Sequence, residues 1–396
     1  MSQFDNNHQI QLFSLDTHSL LPEDTHGPTR PTSLGRENMS RLISGRKVAL
    51  VAAVSASMLL TAGVATTSHA APSVAVSLIT KDSTNPFFVA MQGGAKAAAA
   101  KLGVKITIAS GKAEGDDAGQ IAAIENAIAA KQQGILITPM STGVNDAIKK
   151  ARAAGLFVIA LDTPPDPANT VDIPFATDNR VAGNLIGKWA AAKLAGKTAV
   201  IALLDIFNDK VVSVDYNRDQ GFLEGMGIPV NNPKLNGDEV KTGKYTGGKG
   251  GSYTIVGNEA TGANEEGGRT GMEHLLAKNP KINVVYTINE PTAAGAYAAL
   301  KAAGKTKGVL VVSVDGGKAG VQNVASGVIG ATSQQYPLKM ASLGVQAIYD
   351  LITKGTKPKV TPGLDFFNTG VTLITNSLAK GVPSRNTAYG LANAWG

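Results

Sequence analysis

From residue 74 onward the chain alternates short, mostly β-branched apolar runs with longer stretches of 3.6-residue periodicity, and few folds accommodate that rhythm. Strands are expected over 74–79, 104–109, 134–138, 156–161, 198–204, 253–256, 283–288 and 309–314, with further strands after 314. Helices are expected between them, over 87–101, 119–132, 144–153, 181–194, 215–225, 268–278 and 293–303. Strands separated by helices pair in parallel, with right-handed crossovers that cover both faces of the sheet. Eight or more strands exceed one simple doubly wound sheet, so the reading is α/β with two lobes, parted near Asp178. Between 229 and 251, eight glycines or prolines predict a surface loop or a short hairpin.

The residues ahead of this pattern read as an address. Arg41, Arg46 and Lys47 precede an apolar run over 48–64, followed by Ser68-His69-Ala70, an order that fits an export signal over 39–70 cleaved after Ala70. A transmembrane anchor is the alternative, but the run is rich in Ala, Ser and Thr. The polar stretch before it is long for a basic region, and Met39 is a second candidate start, with 1–38 then untranslated or disordered.

Chemistry is narrowed by what is missing. Cysteine is absent, which removes disulfides, thiolate metal sites and cysteine nucleophiles. Four of the five histidines (His8, His18, His26, His69) fall before residue 70, leaving His274 as the one imidazole for the folded region. The first strand is followed by Thr80-Lys-Asp-Ser-Thr-Asn-Pro86, without the glycines of a dinucleotide turn. Gly243 to Lys249 has phosphate-loop spacing, but Gly250 stands where Ser or Thr is needed and no buried strand precedes it. No G-x-S-x-G elbow occurs, and the paired acids Asp116-Asp117 and Glu265-Glu266 read as helix-start caps. The net charge of +7 is dispersed, with no basic run interleaved with aromatics, so nucleic acid is not expected as a partner.

In open α/β sheets, ligands sit beyond the carboxyl ends of the strands. Asp162, Asn289 and Asp315 each directly follow a predicted strand. Singly, each also reads as a helix cap or turn former. Together they suit a ligand dense in hydroxyls, since burying a sugar requires fixed acids and amides for its O–H groups and flat rings for its C–H faces. Asn85-Pro86-Phe87-Phe88, after the first strand, supplies an amide and two rings, or else a capped helix with two core phenylalanines.

At these residues the sequence resembles the periplasmic sugar-binding proteins of the ribose, galactose and fructose type, which share the effector-domain fold of lactose-repressor-like regulators. The resemblance spans nearly all of 71–396. It rests on Asn85-Pro86-Phe87-Phe88, Phe157-Val-Ile-Ala-Leu-Asp162, Ala176-Thr-Asp-Asn179, Arg218-Asp-Gln-Gly-Phe222, Asn289-Glu290 and Val314-Asp315-Gly316. It implies two doubly wound parallel-sheet lobes joined by a three-strand hinge, the type I periplasmic binding protein fold, with 71–177 plus 336–368 in one lobe and 178–335 plus 369–396 in the other. It also implies that Asn85, Phe87, Phe88 and Asp162 contact a sugar from the first lobe, and Arg218, Asn289 and Asp315 from the second. Gln335, or else Gln334, matches the family's hinge-side glutamine. Two departures stand out: Thr163-Pro164 where ribose binders follow the strand-end aspartate with arginine, and Ala263-Asn264 where they carry a stacking phenylalanine. Both argue against ribose, and the glycine-rich 258–270 segment resembles the fructose branch, with a pentose or another hexose as alternatives. The resemblance implies no catalysis, cofactor or metal, a periplasmic monomer, and as partners the permease and ATPase of an ABC importer or a chemotaxis receptor. A regulator's effector domain would need a DNA-binding segment where the export signal stands.

Overall fold

In this computed structural model, residues 73–396 are described; the export signal over 39–70, its cleavage after Ala70, the start at Met39 and the reading of 1–38 lie outside them. The chain begins β1 (Ala75–Thr80), α1 (Pro86–Leu102), β2 (Lys105–Ser110), α2 (Asp117–Ala129), β3 (Gly134–Ile137), α3 (Asn145–Ala153), β4 (Phe157–Leu161) and β5 (Ile173–Ala176). It continues α4 (Asn179–Leu194), β6 (Ala199–Asp205), α5 (Ser213–Met226), β7 (Thr242–Tyr245), β8 (Gly251–Ala260), α6 (Glu265–Lys278), β9 (Val284–Thr287) and α7 (Glu290–Ala302). It closes with β10 (Leu310–Asp315), α8 (Lys318–Ala325), β11 (Ala331–Gln334), α9 (Pro337–Lys354), β12 (Phe367–Asn368), β13 (Thr372–Ile374) and α10 (Thr387–Ala392). All eight predicted strands are present within a few residues of their expected bounds.

Two sheets result. The first runs β12-β5-β4-β3-β1-β2 and is parallel throughout. The second runs β13-β11-β10-β9-β6-β8-β7 and is parallel except at its two edges, where β13 and β7 lie antiparallel. The 229–251 segment therefore ends in the β7–β8 hairpin, and its phosphate-loop spacing belongs to antiparallel strands with no helix following. Central strands such as β3, Gly-Ile-Leu-Ile, are buried along their whole length, as a sheet covered on both faces demands. Three times the chain passes from one sheet to the other: between β5 and α4, between β11 and α9, and between β12 and β13.

Local chemistry sets the helix starts that matter for the site. Asn85 caps α1 by accepting from the Phe87 N–H, Pro86 occupies the first turn, and Gly103 ends the helix at φ +69°. Asn289 caps α7 in the same way, through the Thr292 N–H. Helices α4 and α5 approach closely because each presents glycines four residues apart. A Cβ at Gly183 would stand 2.1 Å from the Arg218 carbonyl oxygen, and one at Gly221 would stand 2.3 Å from that of Arg180. Gly221→Val should accordingly force the helices apart and lower the free energy of unfolding by about 3 kcal/mol, read from urea melts; an unchanged midpoint would mean the contact relaxes freely.

Candidate functional site

The carboxyl ends of strands from both sheets face one narrow, partly open cavity, with about 30 Å³ of room for a water-sized occupant. Asn85, Phe87, Phe88, Asp162, Arg218, Asn289, Asp315 and Gln335 all line it. The structure thus brings together every residue singled out in the sequence, and between the two glutamines it puts Gln335 at the cavity while Gln334 turns its amide to the carbonyls of Gly316 and Gly390.

Arg218, on α5, organises the polar half. Its Nε donates to Asn179 Oδ1 at 2.7 Å and its Nη1 to the Ile288 carbonyl at 3.0 Å. Asp162 Oδ1 lies 3.7 Å from Nη2, and Asp315 Oδ1 lies 4.0 Å from Nη1. Gln335 Nε2 donates to Asp315 Oδ1 at 2.7 Å. Asp162 accepts from the Thr163 hydroxyl through Oδ2, so the residue standing in place of an arginine serves its neighbouring acid. Asp162 Oδ1 and Gln335 Oε1 are buried with no hydrogen-bond partner. Such acceptors are costly to leave unpaired. Asn289 spends its Oδ1 on the α7 cap and its Nδ2 on the Ala263 carbonyl, so the capping role weighed from sequence and a place at the cavity hold together.

The apolar half comes from α1. Phe87 and Phe88 meet edge to face, centroids 5.4 Å apart, and both are buried in the first lobe's core while lining the cavity. Ala263 also lines it, which makes the loss of a ring at that position a change in the wall itself.

Backbone strain gathers here. Five non-glycine residues among those described have φ in the left-handed half of the map, and three line the cavity: Asp162 (+64°), Ala263 (+55°) and Asp315 (+144°). Strain of this kind persists where surrounding structure fixes a functional geometry.

Two charged cavity residues escaped sequence reading. Lys81 and Glu114 form an almost fully buried ion pair of 2.7 Å at the ends of β1 and β2. Burial raises the Glu114 carboxyl above its ordinary value, against the pull of Lys81. Lys81 directly follows β1 as observed, one residue beyond the predicted strand end at 79, and Glu114 lies four residues beyond β2 in a polar loop and carries no local signal. Behind the cavity, Glu290 accepts from the N–H groups of Gly316 and Gly317 and from the Thr332 hydroxyl. Burial and the adjacent Asp315 push it up to about 8. Burial also raises Asp315 to about 6, outweighing Arg218 and Gln335.

Beyond the cavity, further contacts join the two halves. Lys234 reaches Asp166 at 2.8 Å, Lys210 donates to the Gly115 carbonyl at 2.6 Å, and the Ser213 hydroxyl donates to the Pro164 carbonyl. His274 is exposed beside Glu259, away from the cavity. Asp116 caps α2, as read from the sequence, whereas Glu265 and Glu266 sit in the first turn of α6 and the cap there is Asn264, which accepts from the Gly267 N–H. The arrangement is suited to holding a polyhydroxylated molecule between two lobes.

Comparison with known proteins agrees. Residues 76–357 match the model of a periplasmic binding protein domain. The ribose import binding protein of Haemophilus influenzae is 30% identical over 77% of this chain and 94% of its own length. The D-ribose/D-allose-binding protein of Pseudomonas aeruginosa is 27% identical over 76% of this chain and 88% of the relative. Among solved structures, an ABC transporter solute-binding protein from Agrobacterium vitis with bound D-fucose superposes with a TM-score of 0.64, at 27% identity, over 76% of this chain and 95% of that one. Each of these relatives is described as a sugar- or solute-binding protein. With a family model spanning most of the chain and a cleft lined by acids, amides, a guanidinium and two rings, this chain belongs to the periplasmic binding proteins, as a sugar-binding member of the ABC-importer class.

Proposed function

We propose that the protein captures one free monosaccharide in this cavity, fructose first and a pentose or another hexose next, and presents it to the permease and ATPase of an ABC importer. In this reading the chain acts in the periplasm, as a monomer, after removal of the leader over 39–70. Residues 71–177 plus 336–368 form one lobe and 178–335 plus 369–396 the other. The observation that carries it is the meeting of eight polar and aromatic groups from separate turns around one small cavity, with two buried acceptors among them unpaired. A sugar's hydroxyls are donors for Asp162 Oδ1 and Gln335 Oε1, and Phe87 and Phe88 offer surface to its C–H faces. Thr163-Pro164 and Ala263-Asn264, which remove a guanidinium and a ring from the ribose pattern, weigh against ribose, and the preference for fructose rests on the glycine-rich 258–270 segment. Closure follows from differential affinity: a ligand touching both lobes binds the closed form better and shifts the population toward it.

A melting panel of free sugars against the chain from Ala71 tests this. The true ligand at about 100 times its dissociation constant should add roughly 2.7 kcal/mol of stability. Fructose is expected to give the largest shift. A response to a nucleotide or amino acid, with none to any monosaccharide, would remove the carbohydrate assignment.

A further inference from the structure

We propose that Trp395 is a positioning residue for sugar capture, an indole anchored on the second lobe that docks against Phe87 of the first when the lobes close. The inference rests on the sugar-binding reading but adds a residue that does not line the cavity. Its anchorage is specific. The Trp395 carbonyl accepts from the Lys318 N–H at 2.9 Å, tying it to the start of α8. The preceding α10 packs on α8 and β13, and the Gly390 carbonyl accepts from Gln334 Nε2 at 2.9 Å. The indole lies flush on Gly317, where an added Cβ would stand 3.1 Å from the ring. Its Nε1 donates to the carbonyl of Gln335, whose own side chain holds Asp315.

Against all these partners of the second sheet and the crossover, one aromatic contact belongs to the first lobe. Phe87 meets the indole edge to face, centroids 5.4 Å apart at 80°, and meets Phe88 in the same manner at 82°. Three rings thus form a herringbone row from the second lobe to the cavity wall. Trp395 is 6% exposed, so the indole is covered in the closed arrangement, and separation of the lobes would strip Phe87 from it. Aromatic pairs of this geometry contribute beyond the area they bury. Two consequences follow: the contact biases the lobes toward closure, and it fixes the face that Phe87 turns to a ligand.

Acrylamide quenching of the unmodified protein reads the first consequence. Of its two tryptophans, Trp189 is buried in the second lobe's core with its N–H on the Ser377 carbonyl, so quenchable emission belongs to Trp395. A sugar that raises the melting temperature should reduce quenching about twofold as closure becomes dominant. Spin labels at Glu125→Cys on α2 and Glu273→Cys on α6, placed in an otherwise cysteine-free chain, then report the interlobe distance. Without sugar, Trp395→Ala should shift the distribution to longer distances and weaken sugar binding about tenfold, in proportion to the lost closed fraction. Trp395→Phe keeps a ring against Phe87 and should restore most of both. Wild-type distances and affinity in Trp395→Ala, or quenching that ignores a sugar that does bind, would overturn the proposal. Should Trp395→Ala not fold, quenching and Trp395→Phe decide it. If no sugar shifts the melting temperature the capture reading fails instead, while the sugar-free distances still judge the Trp395 contact.

Discussion

Arg218→Ala should erase the sugar-induced melting shift completely and also weaken the sugar-free protein. The guanidinium donates to Asn179 and the Ile288 carbonyl and faces two buried carboxylates, Asp162 and Asp315. Removing one member of a buried charged group leaves the others uncompensated, which costs about 3–5 kcal/mol. Lysine is not expected to rescue, because a single ammonium cannot serve Asn179, a carbonyl and two acids from one planar fork. Asp315→Ala should likewise abolish sugar binding, with less harm to folding, since it deletes a carboxyl whose burial is itself unfavourable. Urea melts with and without sugar separate the two effects. Wild-type sugar affinity in Arg218→Ala would show that the guanidinium is structural only.

The second large effect concerns pH. Glu290 is raised to about 8 in the folded protein, far above the ordinary carboxyl range, so the folded state retains a proton that the unfolded chain has released. Stability must then be greatest in mild acid and fall as pH rises through the interval between the unfolded value and about 8, levelling off above it. Asp315, raised to about 6, adds a fall of the same sign over the lower part of that interval. At about 1.4 kcal/mol per pH unit, the loss from Glu290 alone between about pH 5 and pH 8 comes to roughly 4 kcal/mol. Glu290→Gln should remove Glu290's share of this slope, because an amide has no charge to bury, while its single oxygen can accept from Gly316 or from Gly317 but not from both, as the two carboxyl oxygens do. Its advantage over the wild type should appear above pH 7 and vanish near pH 5. Equal wild-type stability at both ends of the range would contradict the assignment.

Much of this architecture was legible because burial on both faces writes parallel strands as apolar runs. What stayed hidden did so for identifiable reasons. Strand β5 contains Pro174, which argues against a strand interior, and is tolerated here beside the two-residue β12. Strand β11 reads Ala-Thr-Ser-Gln, four buried residues with little apolar signal, held through contacts such as Ser333 Oγ to the Ala182 carbonyl. The site residues were findable where they directly followed a strand, and Asp162 and Asp315 also carry positive φ that sequence does not reveal. Glu114 and Trp395 owe their places to long-range packing: one answers Lys81 from another loop, the other returns across the molecule to Phe87. No local pattern encodes such meetings.

The threefold passage of the chain between the sheets has a bearing on how the molecule is born. Helix α9 lays Met340, Ala341, Val345 and Ile348 into the core beside Leu136 and Leu161, yet it emerges from the ribosome only after every strand of the second sheet except β13. Until then the earlier half-built lobe presents a bare apolar flank that nothing in its own segment can cover. Vectorial synthesis therefore delivers a first lobe whose flank stays uncovered until its lid helix α9 has been made.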